Sequence, residues 1–532
     1  MSNRAHAFAL LVVVFVMPVE AQVIRRIDIV RHPVFEADDL PLGAADLLNS
    51  LHIRTAEAVI RRDLLVRPGD VYDSFLVAES ARLLRLRSYL GDIDISGLEA
   101  DGDSVDLQVT TRDLWTLEVS VQPGGGGGAY SLDLGLAESN FRGRGQGFDL
   151  GYVFSDRRSA GRLTLTEPAF FSPHVEAGIG YSAHEEGNFF AAALAHPFWA
   201  VTVPWQYVLS IERWRDNLLF YKDDREAFAY PHAYRRTHFE IAHAWGVKRR
   251  LIVGTALTWE EQRFGEPFAY AGVTPALLLD TALFTRPDRR RVTPSAAVKL
   301  EQIRYHVARY LDRFGRIEDF PVGAELALKY GRVSADLGST TSRDLVAAQF
   351  RGGVALGRLL GDFDCTVERE TASGDREGAL TLSSSVRLYF KPAIRQTLAV
   401  RLVHEGWYQA NRKGQLFLGA LSGTRGLSAR GRDGTRLWYA NAEYRYFSGW
   451  RILTVDLGAV LFIDVGQVWD RGEALRIGDA ELSYGAGLRF GLGRAAGEKI
   501  FRIDVARGAD GWITTYGTRM YFSFDLDAPM RF

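Results

Sequence analysis

The chain has 532 residues, more than one ordinary soluble domain holds. Hydrophobic residues at 47% and charged residues at 24% exclude a disordered chain, and a net charge of -1 offers no basic footprint for nucleic acid. With 53 glycines and 12% aromatic residues, the composition suits a barrel of tight turns and aromatic girdles, and equally a large soluble β protein.

Residues 1–21 read as a secretory signal peptide. Arg4 supplies the basic start, Ala7 to Val16 form an apolar run, and Val19 with Ala21 give a small-residue cleavage pattern ahead of Gln22. The run is too short to cross a bilayer core of roughly 30 Å as a helix, and no later segment offers the ~20 apolar residues a membrane helix needs. The single cysteine, Cys365, excludes an intramolecular disulfide and reads as a small apolar filler. The expectation is an exported chain without a helical anchor, either soluble or a barrel.

Residues 22–113 have the pattern of a small α/β domain. Val23 to Val30 reads as a strand with Ile27 and Ile29 on one face. Ala56 to Val66 reads as a helix with Thr55 as candidate N-cap. Pro68-Gly69-Asp70 breaks the chain, and Asp73 caps a second helix, predicted to run to about Leu90. Alternation at Ile93 and Ile95, and at Val105, Leu107 and Val109, predicts two more strands around a turn at Ala100-Asp101-Gly102.

Residues 114–532 change to period two. The Gly run 124–128 reads as a linker or a weakly paired stretch at the start of this region. Tyr130, Leu132, Leu134 and Leu136 alternate with smaller or polar residues, as do Phe148, Leu150, Tyr152 and Phe154. In the C-terminal third, Trp438, Ala440, Ala442 and Tyr444 oppose Asn441, Glu443 and Arg445. Short turns there alternate with longer loops, as in a transmembrane barrel with a wet interior. Closure is required because an open sheet edge is not satisfied in lipid. The end of the chain alternates again: Met520, Phe522 and Phe524 face one way, Gly517 precedes them, and Phe532 is terminal. This resembles the C-terminal assembly signal of bacterial barrels.

Two further motifs carry a resemblance. Ser422-Gly-Thr-Arg425-Gly426-Leu427 lies in a long loop before a strand, and Phe462-Ile-Asp464-Val-Gly466 ends a later one. They resemble the Arg-Gly-aromatic and Phe-x-Asp-x-Gly signatures of the BamA/TamA outer-membrane assembly superfamily, in its order and spacing; Leu427 departs from the aromatic. The order strand, helix, helix, strand, strand in 22–113, with Pro68-Gly-Asp-Val-Tyr-Asp73, resembles a POTRA domain. The stretch Glu138 to Gly145 resembles the family's first barrel loop, whereas Phe314 to Gly323 matches no signature.

The resemblance implies a mainly β fold: one periplasmic POTRA domain (22–113) before a transmembrane antiparallel barrel (114–532) of about 16 strands, at roughly 26 residues each. It implies five strands after the loop, and Arg425 drawn into the lumen onto Asp464. It implies location in the cell outer membrane, periplasmic client or accessory polypeptides as partners, and insertion or translocation of polypeptides as function. A two-partner-secretion-like transporter, a passive channel or structural barrel, and a rim enzyme are the alternatives. No catalytic residue, cofactor or metal is expected: Gly143, Gly145 and Gly147 precede no helix, the 11 histidines show no metal spacing, and no nucleophile elbow occurs.

Overall fold

The computed structural model describes residues 22–99, 103–156, 158–222, 225–270, 288–372, 379–408, 415–470, 472–497 and 499–519. The signal-like segment 1–21 and the terminal residues Met520, Phe522, Phe524 and Phe532 lie outside them.

The N-terminal unit is a three-stranded sheet with helices on it. Strands β1 (Val23–His32), β2 (Leu90–Glu99) and β3 (Ser104–Asp113) are ordered β1-β3-β2, with β1 parallel to β3. Their inward residues Ile24, Ile27, Leu107 and Val109 close a core with Val59, Ile60 and Leu84. The helices are α1 (Ala44–Leu51), α2 (Glu57–Arg62) and α3 (Ser74–Arg85). Asp73 caps α3 by accepting from the Phe75 amide at 2.8 Å. Four points differ from expectation. Helix α1 was not foreseen. Helix α2 is shorter than Ala56 to Val66, and α3 stops before Leu90. Thr55 is no cap: it is fully buried, its amide bonded to Asp113 and its hydroxyl accepting from Asn140.

The rest of the chain is a closed antiparallel barrel. Among the described residues, 20 long strands run from β4 (Leu117–Gly126) and β5 (Ala129–Phe141) to a last strand, Gly511–Arg519, with a two-residue strand, Phe268–Ala269, inserted in the wall. This corrects the expectation of about 16. A single average spacing hides two regimes: residues 129–196 hold five strands of 8 to 13 residues, whereas Arg225–Trp245 and Arg289–Arg309 each have 21. Five strands do follow the long loop. The Gly run forms the end of β4 and the hairpin turn behind it.

Side-chain parity separates the two faces of the wall. Leu300, Leu328, Leu461 and Ile463 are exposed outside, while Glu325, Ala327, Phe462 and Asp464 are buried inside. An apolar exterior around a polar interior suits hydrocarbon rather than water.

The N-terminal unit lies across the mouth at which β4 begins. Arg85 grips Asp319 through two hydrogen bonds of 2.6 and 2.8 Å. The Ala56 amide donates to Gly143 at 2.8 Å, and Trp115 exchanges backbone bonds with Arg494 and Ala496. Leu83 packs on Ala200 and Val203. The deepest contact is Asp63, held by Arg87 at 2.6 and 2.9 Å and by His174 at 3.1 Å, with the His174 ring stacked 3.5 Å from Trp199.

Burial works to raise the Asp63 carboxyl, but the His174 and Arg87 hydrogen bonds and the charges of Arg87 and Arg62 hold it below the usual range. A carboxylate lowered in the folded state stabilises fully above its unfolded pKa, about 4, and loses that contribution as pH falls through the lowered value. The N-terminal unit should therefore keep its protease resistance at about pH 5 and lose part of it below about pH 4. Asp63→Asn should lower the stability of that unit at neutral pH and flatten its acid dependence; an unaltered acid profile would contradict the assignment.

Candidate functional site

The long loop opens as a short hairpin, Leu416–Leu418 paired with Arg432–Gly434, and turns into the lumen. Its tip delivers Arg425, only 7% exposed, to Asp464, fully buried on the strand Val455–Trp469. The guanidinium makes a two-pronged contact, Nε to Oδ2 at 2.8 Å and Nη2 to Oδ1 at 2.7 Å. The Arg425 amide adds a bond of 3.2 Å to the same carboxylate. Asn441, directly opposite Asp464 in the ladder, donates to Asp464 at 2.8 Å and to the Gly423 carbonyl at 2.6 Å, so one side chain fixes both loop and wall. The Phe462 ring lies beneath the guanidinium, 3.4 Å from centroid to Cζ. Burial opposes the charge of Arg425, yet Asp464, Glu443 and Asp504 hold its pKa above the ordinary arginine value.

The remaining motif residues have packing roles. Gly426 passes so close to Gly508 that a Cβ would stand 2.8 Å from its Cα and 2.5 Å from the Ser483 Cβ. Leu427 is fully buried, an aliphatic side chain at the tip of the loop. Gly466 pairs with Tyr439, and Gly517 pairs with Arg502 while facing Gly124 across the seam.

The pair is one part of a larger ionic row that sequence reasoning did not assemble. Arg425 Nη1 also reaches Glu443 at 2.9 Å and Asp504 at 3.4 Å. Glu443 is bonded by Arg445 at 2.8 Å, and Arg445 reaches Asp312 at 2.6 Å. Asp312 belongs to the turn 310–316, which folds inward from the opposite mouth, and it accepts from the Tyr389 hydroxyl at 2.8 Å. Burial works to raise its carboxyl, but Arg445 and Tyr389 keep it below the usual range. The row Asp464, Arg425, Glu443, Arg445, Asp312 thus runs along the inner face of two neighbouring strands and joins an element entering from each end. A cavity of about 560 Å³ lies beside it. The sequence signal available was parity: Glu443 and Arg445 were read as lumen-facing, whereas the turn with Asp312 has no periodicity to read.

The same loop spans the line where the barrel closes. The last strand and β4 share one ladder pair among the described residues, Tyr516 with Gly125, supplemented by Thr518 Oγ1 bonded to Gln122 at 2.5 Å. Above this pair, Ala429 donates to the Gly127 carbonyl at 2.8 Å, and the Ser428 amide donates to Asp510 at 2.8 Å. Gly127 belongs to the first hairpin and Asp510 to the last, so the loop straps both edges of the seam. At Gly127, with φ of 60°, a Cβ would lie 2.4 Å from the Ala429 nitrogen, so any side chain displaces the strap.

Arg425→Ala leaves Asp464 buried without its cation, a loss of about 3–5 kcal/mol for a pair of this kind. The detergent-solubilised variant should lose its compact, unheated gel mobility at a clearly lower temperature than the parent. Arg425→Lys should recover only part of the difference, because an ammonium lacks the two-pronged geometry. Equal transition temperatures for parent and Arg425→Ala would show that the contact stabilises nothing.

No family model matches the chain, and no curated protein matches it. Among solved structures, the chain is similar to BamA from Haemophilus ducreyi lacking POTRA domains 1-3, at 13% identity and a TM-score of 0.38, over 93% of this chain and 84% of that one. It is similar to CdiB from Acinetobacter baumannii at 12% identity and a TM-score of 0.45, over 94% of this chain and 74% of that one. For CdiB from Escherichia coli the identity is 11% and the TM-score 0.46, over 94% and 77% of the two chains. No functional conclusion rests on likenesses this distant.

Proposed function

We propose that this chain spans the bacterial outer membrane and inserts or translocates polypeptides there, with residues 22–113 acting as a POTRA-like periplasmic domain that captures client or accessory chains. The observation that carries this reading is the seam. The first and last strands meet at Tyr516 and Gly125, and the loop bridges both of their hairpins through Ala429 and Ser428. A strand edge released at such a seam would be a template for an incoming strand. The strap of residues 426–432 then acts as a removable closure, held inside by Arg425 and Asp464.

Depletion of the protein followed by quantitative outer-membrane proteomics tests the reading. A selective fall in particular outer-membrane or secreted proteins is expected, and an unchanged profile would overturn it. In a Cys365→Ser background, Gln122→Cys and Thr518→Cys joined by a reducible thiol cross-linker should reproduce the depletion, and reduction should reverse it. Full client levels with the seam locked would place passage elsewhere.

A further inference from the structure

Helix α1 and the residues around it form an apolar face that nothing in the N-terminal unit covers. Ala45 and Leu48 point inward, against Val34, Phe35 and Trp115. Leu42, Leu47, Leu51 and Ile53 point outward, each more than half exposed, and Leu42 wholly so. For four large side chains on a 14-residue stretch to remain in water is costly, at roughly 25 cal/mol for each Å² of apolar surface. Asp46 is the one charged residue of the helix.

The position of this face is fixed by the barrel. Asp39, just before the helix, is paired with Arg494 at 2.7 Å, and Arg451 adds a second positive charge. Arg451 is at the rim end of the strand Arg436–Ile452, and Arg494 lies in the next rim turn, between Glu481–Leu492 and Ile500–Gly508. The end of the first strand and the turn after it expose Trp450, Ile452 and Leu453. Trp115, under the helix, leads into β4, whose Leu117, Val119 and Val121 are exposed on the outside of the wall. The apolar face therefore continues an apolar rim where the wall meets the headgroup region, with tryptophan at the level typical of a membrane interface.

We infer that residues 40–53 lie in the lipid interface of the leaflet facing the N-terminal unit, beside the seam, with Leu42, Leu47, Leu51 and Ile53 among the acyl chains. The occupant is phospholipid, and the helix is an interfacial one that adds to the anchorage provided by the barrel. This holds the N-terminal unit at a set tilt against the bilayer as well as against the rim. The inference rests on the membrane-spanning reading of the barrel.

The test uses the full mature chain, Cys365→Ser, in phosphatidylcholine vesicles, with one cysteine carrying an environment-sensitive fluorophore. The quencher is phosphatidylcholine bearing a nitroxide on the acyl chain close to the headgroup. Position Leu461→Cys, on the outer wall, reports whether the barrel is in lipid. Val71→Cys reports the far end of the N-terminal unit, where Val71 bridges to Val23, opposite the start of β3. Leu47→Cys should lose emission to an extent comparable with Leu461→Cys, and its spectrum should shift to the blue on transfer from detergent to vesicles, while Val71→Cys changes little. Leu51→Cys gives the same reading if Leu47→Cys does not fold. Quenching at Leu461 without quenching at Leu47 and Leu51 overturns the inference and leaves the barrel reading intact. Absence of quenching at Leu461 overturns both. Quenching at Val71 equal to that at Leu47 overturns it, because the whole unit would then lie on lipid. Cross-links between copies through position 47 with unquenched emission assign the face to self-association and likewise overturn it.

Discussion

A guanidinium enclosed by a β-barrel has to be answered by carboxylates, since an unpaired buried charge is costly. Arg425 is answered by Asp464 in a two-pronged contact, with Glu443 and Asp504 within reach and Phe462 beneath. Much of the loop's path follows from that one constraint. With Arg425 fixed, Gly426 is pressed against Gly508, Leu427 is buried, and Ser428 and Ala429 arrive at the two hairpins flanking the seam. The ion pair is therefore less a source of net stability than a register device: it decides where the strap falls.

The interior and the mouth depend on the same logic. Charged side chains alternate in sign along the row from Asp464 to Asp312, so each is satisfied by its neighbours and none needs bulk water. The row ties a loop from one mouth to a turn from the other. That turn continues into Asp319, which Arg85 of the N-terminal unit holds. A run of polar contacts thus leads from α3 through the rim to the loop tip, and the strands Arg436–Ile452 and Val455–Trp469 supply its rigid middle.

Much of this was legible in the sequence because parity is legible. Alternation along Trp438 to Arg445 put Asn441, Glu443 and Arg445 on the wet face, where they are found beside Asp464, and five strands after the loop were expected. Asp73 was recognisable as a cap because its chemistry is local. The strand total was not recoverable from an average spacing, since strands of 8 and of 21 residues share one wall. Helix α1 escaped notice because its inward side is a few residues, Ala45 and Leu48, set beside outward leucines that break the expected amphipathic pattern. The meeting of Asp312 with Arg445, and of Gly127 with Ala429, joins segments more than a hundred residues apart through turns without periodicity. Thr55 was misread for the same reason: its partners, Asp113 and Asn140, are remote in sequence.

The N-terminal unit touches the rim at turns spread around the circumference, from Gly143 through His174, Ala200 and Asp319 to Arg494. It precedes the barrel in the chain and has a core of its own, independent of any barrel residue. A sheet of 20 strands has no intrinsic reason to stop at that number, because adding or omitting a hairpin changes the diameter only gradually. A preformed body whose contact points match a single circumference acts as a gauge: a ring one hairpin too wide or too narrow would part Asp63 from His174, Arg85 from Asp319 or Asp39 from Arg494. The width of the barrel is thereby written partly in a segment that contributes none of its staves.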